Sequence, residues 1–251
     1  MRKNGEPFIT AKNLTIAYGA RVIVSNVDFT VNRGDIFVIM GGSGSGKSTI
    51  MKTLIGLKQP DNGVVMVGNT DLWHTDGEKR NKILETFGIS FQSGALFSSM
   101  TVGENVALPM ELQTQMSPQQ IAHRVTEKLA LVGLADARDL YPTEISGGMV
   151  KRAALARALA LNPEIVFFDE PSAGLDPIRS KQLDDLIVQI NRAGTTIVMV
   201  THELDSIMSI ATNSIYLDAT THSITGRGAP RKLLATTKNH EIIEFLTRGN
   251  T

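Results

Sequence analysis

The chain has 251 residues, and its 25 basic and 25 acidic side chains leave no formal net charge at pH 7. This balance argues against a general electrostatic attraction to polyanions, so no nucleic-acid partner is expected, although a local basic patch stays compatible with it. The chain has no cysteine, which excludes disulfides, thiolate zinc sites and a cysteine nucleophile and is typical of a cytosolic protein.

Membrane-spanning segments are not expected. The apolar runs fall short of the ~18–20 residues that a transmembrane helix needs. The first residues, MRKNGEPFIT, include basic side chains but no apolar run after them, so no signal peptide is expected either. Any action at a membrane is therefore expected to go through a partner.

The first clear elements are a strand, a helix and a second strand. The apolar run of residues 35–40, bounded by glycines, predicts a buried strand. Residues 47–57 follow with apolar side chains at helical spacing and predict a helix. The turn sequence QPDNG then precedes a short strand, VVMV.

Between Gln92 and Arg152 the pattern changes to amphipathic helices. Ser117, Pro118 and Gln120 have the spacing of a capping box with proline at the first helical position. The helix that follows has four apolar residues on one side, namely Ile121, Val125, Leu129 and Val132.

Buried strands then return and alternate with helices. The predicted strands are residues 164–170, 195–202 and 214–218, and the predicted helices are residues 177–193 and 239–246. Gly194 follows the first of these helices in a position typical of a helix end. The alternation favours a mainly parallel α/β sheet, with the helical stretch as an insertion.

A phosphate-binding loop lies between the first predicted strand and helix. The sequence GGSGSGKS fits G-x-x-x-x-G-K-[ST], in which glycines let backbone N–H groups surround phosphate oxygens at a helix N-terminus. Lys47 is expected to reach the β- and γ-phosphates, and Ser48 to bind magnesium. The residues expected to contact the nucleotide here are Gly41, Gly42, Ser43, Gly44, Ser45, Gly46, Lys47, Ser48 and Thr49. The alternative, a glycine-rich connector, needs a chance match on the order of one in a hundred.

An acidic pair follows a buried run in IVFFDEP. Asp169 stands where a strand-end carboxylate faces magnesium, and Glu170 could orient or deprotonate a water in line with the γ-phosphate. A pair of solvated loop acids is the alternative. The class of nucleotide hydrolase stays open at this point, although a GTPase would need an N-K-x-D segment, which is absent.

A second anion-binding element is EISGGMVKRAALARA, residues 144–158. Ser146, Gly147 and Gly148 stand directly before a run that predicts a helix, and such a start offers free backbone N–H groups to an anion. A P-loop kinase acting on a small molecule would leave this element unexplained.

Together these motifs resemble the ATP-binding-cassette (ABC) ATPases over nearly the whole chain. In that family an L-S-G-G-Q motif precedes a helix, and Ile145-Ser146-Gly147-Gly148-Met149 stands at the equivalent place. The resemblance implies a head-to-tail homodimer in which Ser146, Gly147 and Gly148 of one copy bind the ATP held by the other. Met149 departs from the family glutamine, but contacts through a hydroxyl and backbone N–H groups should survive that change.

The resemblance also implies roles for other positions. Tyr18 would stack on adenine, although an aromatic packed in the core is the alternative. Gln92 would sense magnesium, residues 172–176 would cross the dimer interface, and His202 would contact the γ-phosphate. Out of this context, a glutamine or histidine at a strand end is more often structural. The catalytic residues implied are therefore Glu170, His202, Gln92 and Lys47, and the magnesium ligands are Ser48, Gln92 and Asp169.

The fold implied is α/β: a P-loop NTPase (RecA-like) parallel sheet core with an antiparallel β-subdomain and an inserted helical subdomain. The chain would form one nucleotide-binding domain over residues 1–251. Its core and β-subdomain would take residues 6–91 and 154–235, its helical subdomain residues 92–153, and a C-terminal helix residues 239–248.

Residues 91–97 and the stretch SGGMVKRAALARA most resemble ATPases of the Mla type, from bacterial lipid-trafficking systems with MCE proteins. The resemblance implies a peripheral motor on the cytoplasmic side of the inner membrane, driving phospholipid trafficking between inner and outer membrane. Its partners would be a permease dimer, an MCE-domain substrate-binding protein and, as a further candidate, a small regulatory subunit. Ala95, Leu96 and Phe97 would either contact the permease or fill the core of the helical subdomain.

The alternative functions are the ATPase of a solute importer and a soluble ABC clamp on DNA, which usually carries coiled-coil or zinc insertions.

Overall fold

The computed structural model describes residues 5–248. Residues 1–4 and 249–251, which the predicted single domain includes, lie outside the described residues. The strands are β1 (Pro7–Tyr18), β2 (Arg21–Asn32), β3 (Ile36–Gly41), β4 (Asn62–Val67), β5 (Thr70–Asp71), β6 (Phe87–Ser90), β7 (Ile165–Asp169), β8 (Thr196–Val200), β9 (Asn213–Asp218) and β10 (Ser223–Arg227). The helices are α1 (Lys47–Leu54), α2 (Gly77–Leu84), α3 (Val102–Gln113), α4 (Pro118–Leu131), α5 (Gly147–Ala158), α6 (Pro177–Arg192), α7 (Leu204–Ile210), α8 (Pro230–Thr236) and α9 (His240–Thr247).

The main sheet has the order β10-β9-β3-β8-β7-β6. Strands β9, β3, β8, β7 and β6 are parallel to their neighbours, and β10 is antiparallel at the edge. Every residue of β3 and β8 is buried, as expected for strands that are covered by other layers on both faces. The predicted parallel α/β sheet is confirmed.

A second, antiparallel sheet has the order β2-β1-β4-β5 and forms the predicted β-subdomain. Its long β1–β2 hairpin closes where Tyr18 pairs with Arg21. Apolar side chains alternate along it, and Leu14, Ile16 and Val24 are fully buried. They belong to one core with side chains of the main sheet, and the rings of Phe29 and Phe37 stack 5.9 Å apart between the two.

Helices α3, α4 and α5 form the layer inserted between β6 and β7. The predicted capping box of α4 is confirmed, because Gln120 N–H donates to Ser117 Oγ at 3.3 Å and Ser117 N–H donates to Gln120 Oε1 at 2.7 Å. Of the four apolar residues predicted on one side of this helix, Val125, Leu129 and Val132 are buried and Ile121 is partly buried. Helix α5 continues to Ala158, past the predicted end of the helical subdomain at residue 153, and packs against β6.

Several element ends differ from the sequence prediction. The helix predicted to reach residue 57 ends at Leu54, because Gly56 takes a φ of 81° and Leu57 N–H turns back to donate to Lys52 O at 2.8 Å. Helix α2 was missed because all its residues are at least partly exposed, so it has no apolar face to detect. Helix α7 was also missed, because it is only 7 residues long and so too short to show a clear helical period.

The tail holds more structure than the sequence patterns indicate. Beyond the predicted strand at 214–218 the chain forms β10 and α8, neither of which was predicted. The predicted terminal helix is confirmed as α9, and Asn239 caps its first turn by accepting from Glu241 N–H at 2.9 Å. Among the described residues, no helix combines the length and apolar character needed to cross a bilayer.

The position of α5 on the main sheet can be tested at Gly88 in β6. A Cβ atom there would collide with the carbonyl oxygen of Ala158 and lie 3.0 Å from Pro163 Cγ. Because the obstacle is backbone, α5 would have to shift, and we expect Gly88→Ala to lower the free energy of unfolding by about 1–3 kcal/mol. Chemical denaturation with comparison of midpoints at equal slope measures this.

The matched control is Gly77→Ala at the start of α2, where an added Cβ would point into open space as far as the described chain extends. Its free energy of unfolding should stay within about 0.5 kcal/mol of the parent. Equal midpoints for both variants would mean that the contact between β6 and α5 is looser than the structure has it.

Candidate active site

The predicted catalytic segments meet at the carboxyl edge of the main sheet. Strand β3 leads into the phosphate loop, β7 into the acidic pair, and β8 into His202. Strand β8 lies between β3 and β7, and Asp169 pairs with Val200 across the last rung. Open parallel sheets bind ligands at this edge, where neighbouring loops diverge.

The phosphate loop is shaped from behind by strand β9. Gly41 has a φ of 146°, and a Cβ atom there would collide with the carbonyl oxygen of Leu217. Lys47, the first residue of α1, donates from Nζ to the carbonyl oxygens of Gly41 at 2.9 Å and Gly42 at 2.8 Å. Burial lowers the pKa of Lys47, while the carboxylates of Glu170 and Asp169 raise it. The ammonium thus lies within the loop, at the N-terminus of a helix, where a phosphate would meet both.

The other loop residues differ in exposure. Ser43, Gly44 and Ser48 are exposed, and Thr49 is partly buried. Ser45 is fully buried, and its hydroxyl has no hydrogen-bond partner within residues 5–248. The Ser45 N–H donates to Gly42 O at 3.3 Å within the loop.

The acidic pair divides at the end of β7. Asp169 is the last residue of the strand, and burial, followed by the nearby charge of Glu170, raises the pKa of Asp169. Glu170 lies beyond the strand with a φ of 49°, so a left-handed backbone rather than the strand pleat directs its side chain. Its N–H donates to Val200 O at 2.8 Å.

The side chain of Glu170 is held at one oxygen and unpaired at the other. Glu170 Oε1 lies 2.8 Å from His202 Nδ1 in a hydrogen bond, with the histidine side chain 60% exposed. Glu170 Oε2 is buried and has no hydrogen-bond partner among the described residues. A buried carboxylate oxygen of this kind lacks the hydrogen-bond donor that it needs.

The Ser-Gly-Gly element begins helix α5 as predicted. Ser146 is the N-cap, and its Oγ accepts from Met149 N–H at 3.3 Å. Ser146 and Gly147 are exposed, and Gly148 is partly buried near Leu175. The first N–H groups of a helix have no acceptor within it, so this start presents donors to the surface.

Tyr18 and Gln92 stand at the margin of this edge. Tyr18 is 50% exposed with the Lys58 ammonium 5.5 Å from its ring centre, which speaks against the alternative of a core aromatic. Its hairpin lies against the phosphate loop, because a Cβ atom at Gly46 would come within 2.8 Å of Val24. Gln92 is exposed just after β6.

The segment after Gln92 is fixed by long-range contacts. Arg157 on α5 donates to the carbonyl oxygens of Gly94 at 2.9 Å and Ala95 at 2.7 Å. Leu96 packs against the core of the helical layer, whereas Phe97 is 53% exposed. Of the two alternatives for this apolar stretch, a place in the core fits Leu96, and contact with a partner fits the exposed Phe97.

Arg157 and Lys151 were missed by the sequence analysis. Lys151, also on α5, donates to backbone carbonyls in the loop that follows β7. Both side chains bind backbone atoms far away in the sequence, and no local spacing indicates such pairs. The only signal was the basic character of the helix that follows Ser-Gly-Gly.

A parallel sheet with a phosphate loop, strand-end acids and a second anion-binding helix defines the ATP-binding cassettes of the P-loop hydrolases. Residues 24–173 match the family described as ABC transporter, and the chain belongs to that family as an ATP-binding ATPase.

The chain is similar to transport ATP-binding proteins of two different names, mkl and MlaF. The chain is 39% identical over 239 residues, 95% of its length, to the "probable ribonucleotide transport ATP-binding protein mkl" of Mycobacterium tuberculosis (strain H37Rv), and spans 66% of that protein. It is 37% identical over 239 residues to the "intermembrane phospholipid transport system ATP-binding protein MlaF" of Haemophilus influenzae, covering 95% of the chain and 89% of that protein. MlaF of Escherichia coli K12 is 39% identical over 212 residues, covering 84% of the chain and 79% of that protein.

Solved structures agree on the fold. The dimeric, post-hydrolysis structure of the ATP-binding cassette MJ0796 with ADP and Pi superposes with a TM-score of 0.81 at 31% identity, covering 88% of this chain and 98% of that one. The cbiO1 subunit of the cbiONQ transporter from Clostridium perfringens gives a TM-score of 0.83 at 26% identity, covering 92% of each chain.

A buried acid connects the helices that follow the catalytic loops. Asp184 on α6 is 5% exposed and accepts from Ser206 Oγ on α7 at 2.9 Å. Burial raises the pKa of Asp184 from 3.8 to about 6, while the Ser206 hydrogen bond and Lys181 act in the opposite direction. Helix α7 begins just after His202, so this contact fixes the helix behind the histidine.

This pKa predicts a pH-dependent stability. Because the folded-state pKa of Asp184 exceeds the unfolded value, its favourable contribution is present below pH 3.8 and is lost as pH rises through about 6. Asp184→Asn keeps an acceptor for Ser206 but has no charge to bury. We expect the variant to gain up to about 3 kcal/mol of unfolding free energy over the parent at pH 8, and the gain to vanish near pH 4.

Denaturant unfolding of both proteins across this pH range is the measurement. Asp185→Asn is the control, since Asp185 is exposed and pairs with Lys181 on the surface at 2.7 Å, so its loss removes a charge near Asp184 but no buried acid. A stability difference between parent and Asp184→Asn that does not change with pH would contradict a buried, titrating Asp184.

Proposed function

We propose that the chain is the ATP-hydrolysing subunit of a membrane transporter for phospholipid, and that it works as a head-to-tail homodimer. The observation that carries the proposal is the carboxylate of Glu170, which follows Asp169: His202 holds one oxygen, and the other is buried with no hydrogen-bond partner within residues 5–248. A carboxylate so placed at the edge that carries the phosphate loop is suited to take a proton from an attacking water.

In this proposal the nucleotide is bound from three sides. Lys47 and the N-terminus of α1 receive the phosphates, with the loop residues 41–49 around them. Tyr18 stacks on the adenine ring from the exposed β1–β2 hairpin. The partner copy contributes Ser146, Gly147 and Gly148, whose hydroxyl and N–H groups bind the γ-phosphate.

The donor set fits magnesium. Asp169 and Ser48 provide hard oxygen ligands, and Gln92 comes just after β6, the strand that pairs with β7, at the same edge of the sheet. The raised pKa of Asp169, caused by burial and by Glu170, marks a place where an added cation is favoured. When bound, magnesium neutralises charge on the β- and γ-phosphates.

The chain's own residues then act on the water. Glu170 Oε2 accepts its proton as the water oxygen attacks the γ-phosphorus and the bond to the β-phosphate oxygen breaks. His202 keeps Glu170 Oε1 in place and reaches the γ-phosphate with its exposed ring. Because the γ-phosphate joins the two copies, its release weakens the dimer interface and couples hydrolysis to an opening motion.

The transported substrate is proposed from the MlaF relatives, whose names state intermembrane phospholipid transport. We place the chain on the cytoplasmic face of a bacterial inner membrane, beneath a permease dimer that exposed Phe97 would contact. An MCE-domain protein would bind the lipid, and a small regulatory subunit is a further proposed partner. The mkl relatives are named for ribonucleotide transport, so a solute transporter is the second candidate.

The chemical proposal is tested by Glu170→Gln, which keeps the shape of the side chain but removes its basicity. We expect ATP affinity within about twofold of the parent, a kcat at least about a hundredfold lower, and an ATP-dependent dimer that accumulates. ATPase assays of the chain in its membrane complex and size-exclusion chromatography with ATP measure these. A variant that hydrolyses ATP at the parental rate would remove Glu170 from the role of base.

The substrate proposal is tested in proteoliposomes that contain the chain with the membrane subunits that co-purify with it. We expect ATP-dependent transfer of fluorescent phospholipid, absent in the Glu170→Gln complex, and no ATP-dependent movement of radiolabelled ribonucleotide. Ribonucleotide movement without lipid transfer would favour the solute transporter and overturn the lipid proposal.

A further inference from the structure

One cationic side chain crosses from the helical layer to the loop that carries the proposed base. Lys151 projects from α5, and its Nζ donates to Ala173 O in a short hydrogen bond and approaches Glu170 O at 3.5 Å. Ala173 and Glu170 belong to the segment between β7 and α6. Lys151 therefore ties α5 to the loop at the far end of β7, the strand that follows α5 in the chain.

The surroundings of Lys151 indicate a built contact rather than a surface contact. Burial lowers its pKa, and the carboxylates of Glu170 and Glu203 raise it. Two carbonyl acceptors and two nearby acids thus replace much of the water around the ammonium. A hydrogen bond from a charged donor in such a place is stronger than one between neutral groups.

The backbone of Glu170 needs this kind of support. A φ of 49° is the left-handed conformation, which costs a residue with a side chain roughly 1–2 kcal/mol. Val200 O accepts from the Glu170 N–H at 2.8 Å, and the Glu170 carbonyl accepts from Ala173 N–H at 3.3 Å and from Lys151 Nζ at 3.5 Å. Since this backbone aims the carboxylate, a shift of Lys151 changes the direction of Glu170 Oε2.

The same helix begins with the Ser-Gly-Gly element. Ser146 caps α5, and Lys151 lies little more than one turn further along it. A helix moves as a rigid body over so short a distance, so a displacement of Ser146 or Gly148 is passed to Lys151. Within residues 5–248, no other hydrogen bond joins α5 to the carbonyl oxygen of Glu170.

We propose that Lys151 is a positioning residue that couples the two active sites of the dimer. When Ser146 and Gly148 engage the nucleotide of the partner copy, α5 takes up its position, and Lys151 sets the Glu170 of its own copy for proton transfer. The inference rests on the proposed function, since it needs Glu170 as base and the Ser-Gly-Gly element in trans. A purely structural role, in which Lys151 only stabilises the loop, is the alternative.

The test compares Lys151→Met, Lys151→Arg and the control Lys82→Met in the membrane complex. Lys82 makes an exposed pair with Glu78 at 2.7 Å on α2, so its loss should leave kinetics unchanged. We expect Lys151→Met to lower kcat at least about tenfold with KM for ATP within about twofold, because it displaces the base and leaves the phosphate loop intact. Lys151→Arg keeps a cationic donor and should retain most of the rate.

A double-variant cycle separates positioning from stability. If Lys151 acts through Glu170, Lys151→Met should add less than about twofold to the loss in a Glu170→Gln background, read as single-turnover hydrolysis. The Lys151→Met, Glu170→Gln double variant should still form the ATP-dependent dimer. Should Lys151→Met fail to fold in thermal unfolding, Lys151→Gln, which keeps a neutral donor, is judged by the same ratios.

The possible results distinguish the positioning role of Lys151 from the proposed function of the chain. A parental kcat in Lys151→Met, with hydrolysis lost in Glu170→Gln, overturns the positioning role and leaves the proposed function standing. Additive losses in the double variant, equal losses in Lys151→Met and Lys151→Arg, or loss of the ATP-dependent dimer also overturn it in favour of a structural role. Parental hydrolysis by Glu170→Gln would instead remove the proposed function itself.

Discussion

The hydrogen bond between Glu170 and His202 depends on the register of two parallel strands, and the arrangement of the site depends on it in turn. Because β7 and β8 pair with Asp169 opposite Val200, the residues that follow each strand emerge side by side. A slip of one residue in this pairing would separate the carboxylate from the imidazole and move each side chain of the slipped strand to the opposite face of the sheet, where the packing is different. The fully buried strands β3 and β8 make such a slip costly, so the core fixes the chemistry at its edge.

The sequence was informative wherever a local pattern carries the information. The phosphate loop, the capped start of α4 at Ser117, and the buried strands could all be predicted, because glycine spacing, capping and apolar runs act over a few residues. Helix α2 and strand β10 could not, since neither shows a continuous apolar face. The left-handed backbone of Glu170 was also out of reach, because its hydrogen-bond partners Val200 and Lys151 come from other elements.

The helical layer and the main sheet share one hydrophobic core, and several close contacts between the two involve α5, the helix that begins with Ser146. Gly88 lets the end of α5 approach β6, Arg157 donates to the Gly94 carbonyl after Gln92, and Lys151 reaches the loop after Asp169. The family resemblance supplied the expected roles of the two halves of the site, whereas the structure supplied the contacts on which the proposed coupling through α5 rests.

The close approach of Gly41 to Leu217 gives the site two halves with different freedom to evolve. At Gly41 the phosphate half lies directly against the backbone of β9, so a larger residue is not tolerated at that position. The proposed base half is an exposed hairpin around Tyr18, with room for larger, smaller or charged side chains. Selection for a different nucleobase would therefore act on the hairpin, while the grip on the triphosphate is inherited unaltered.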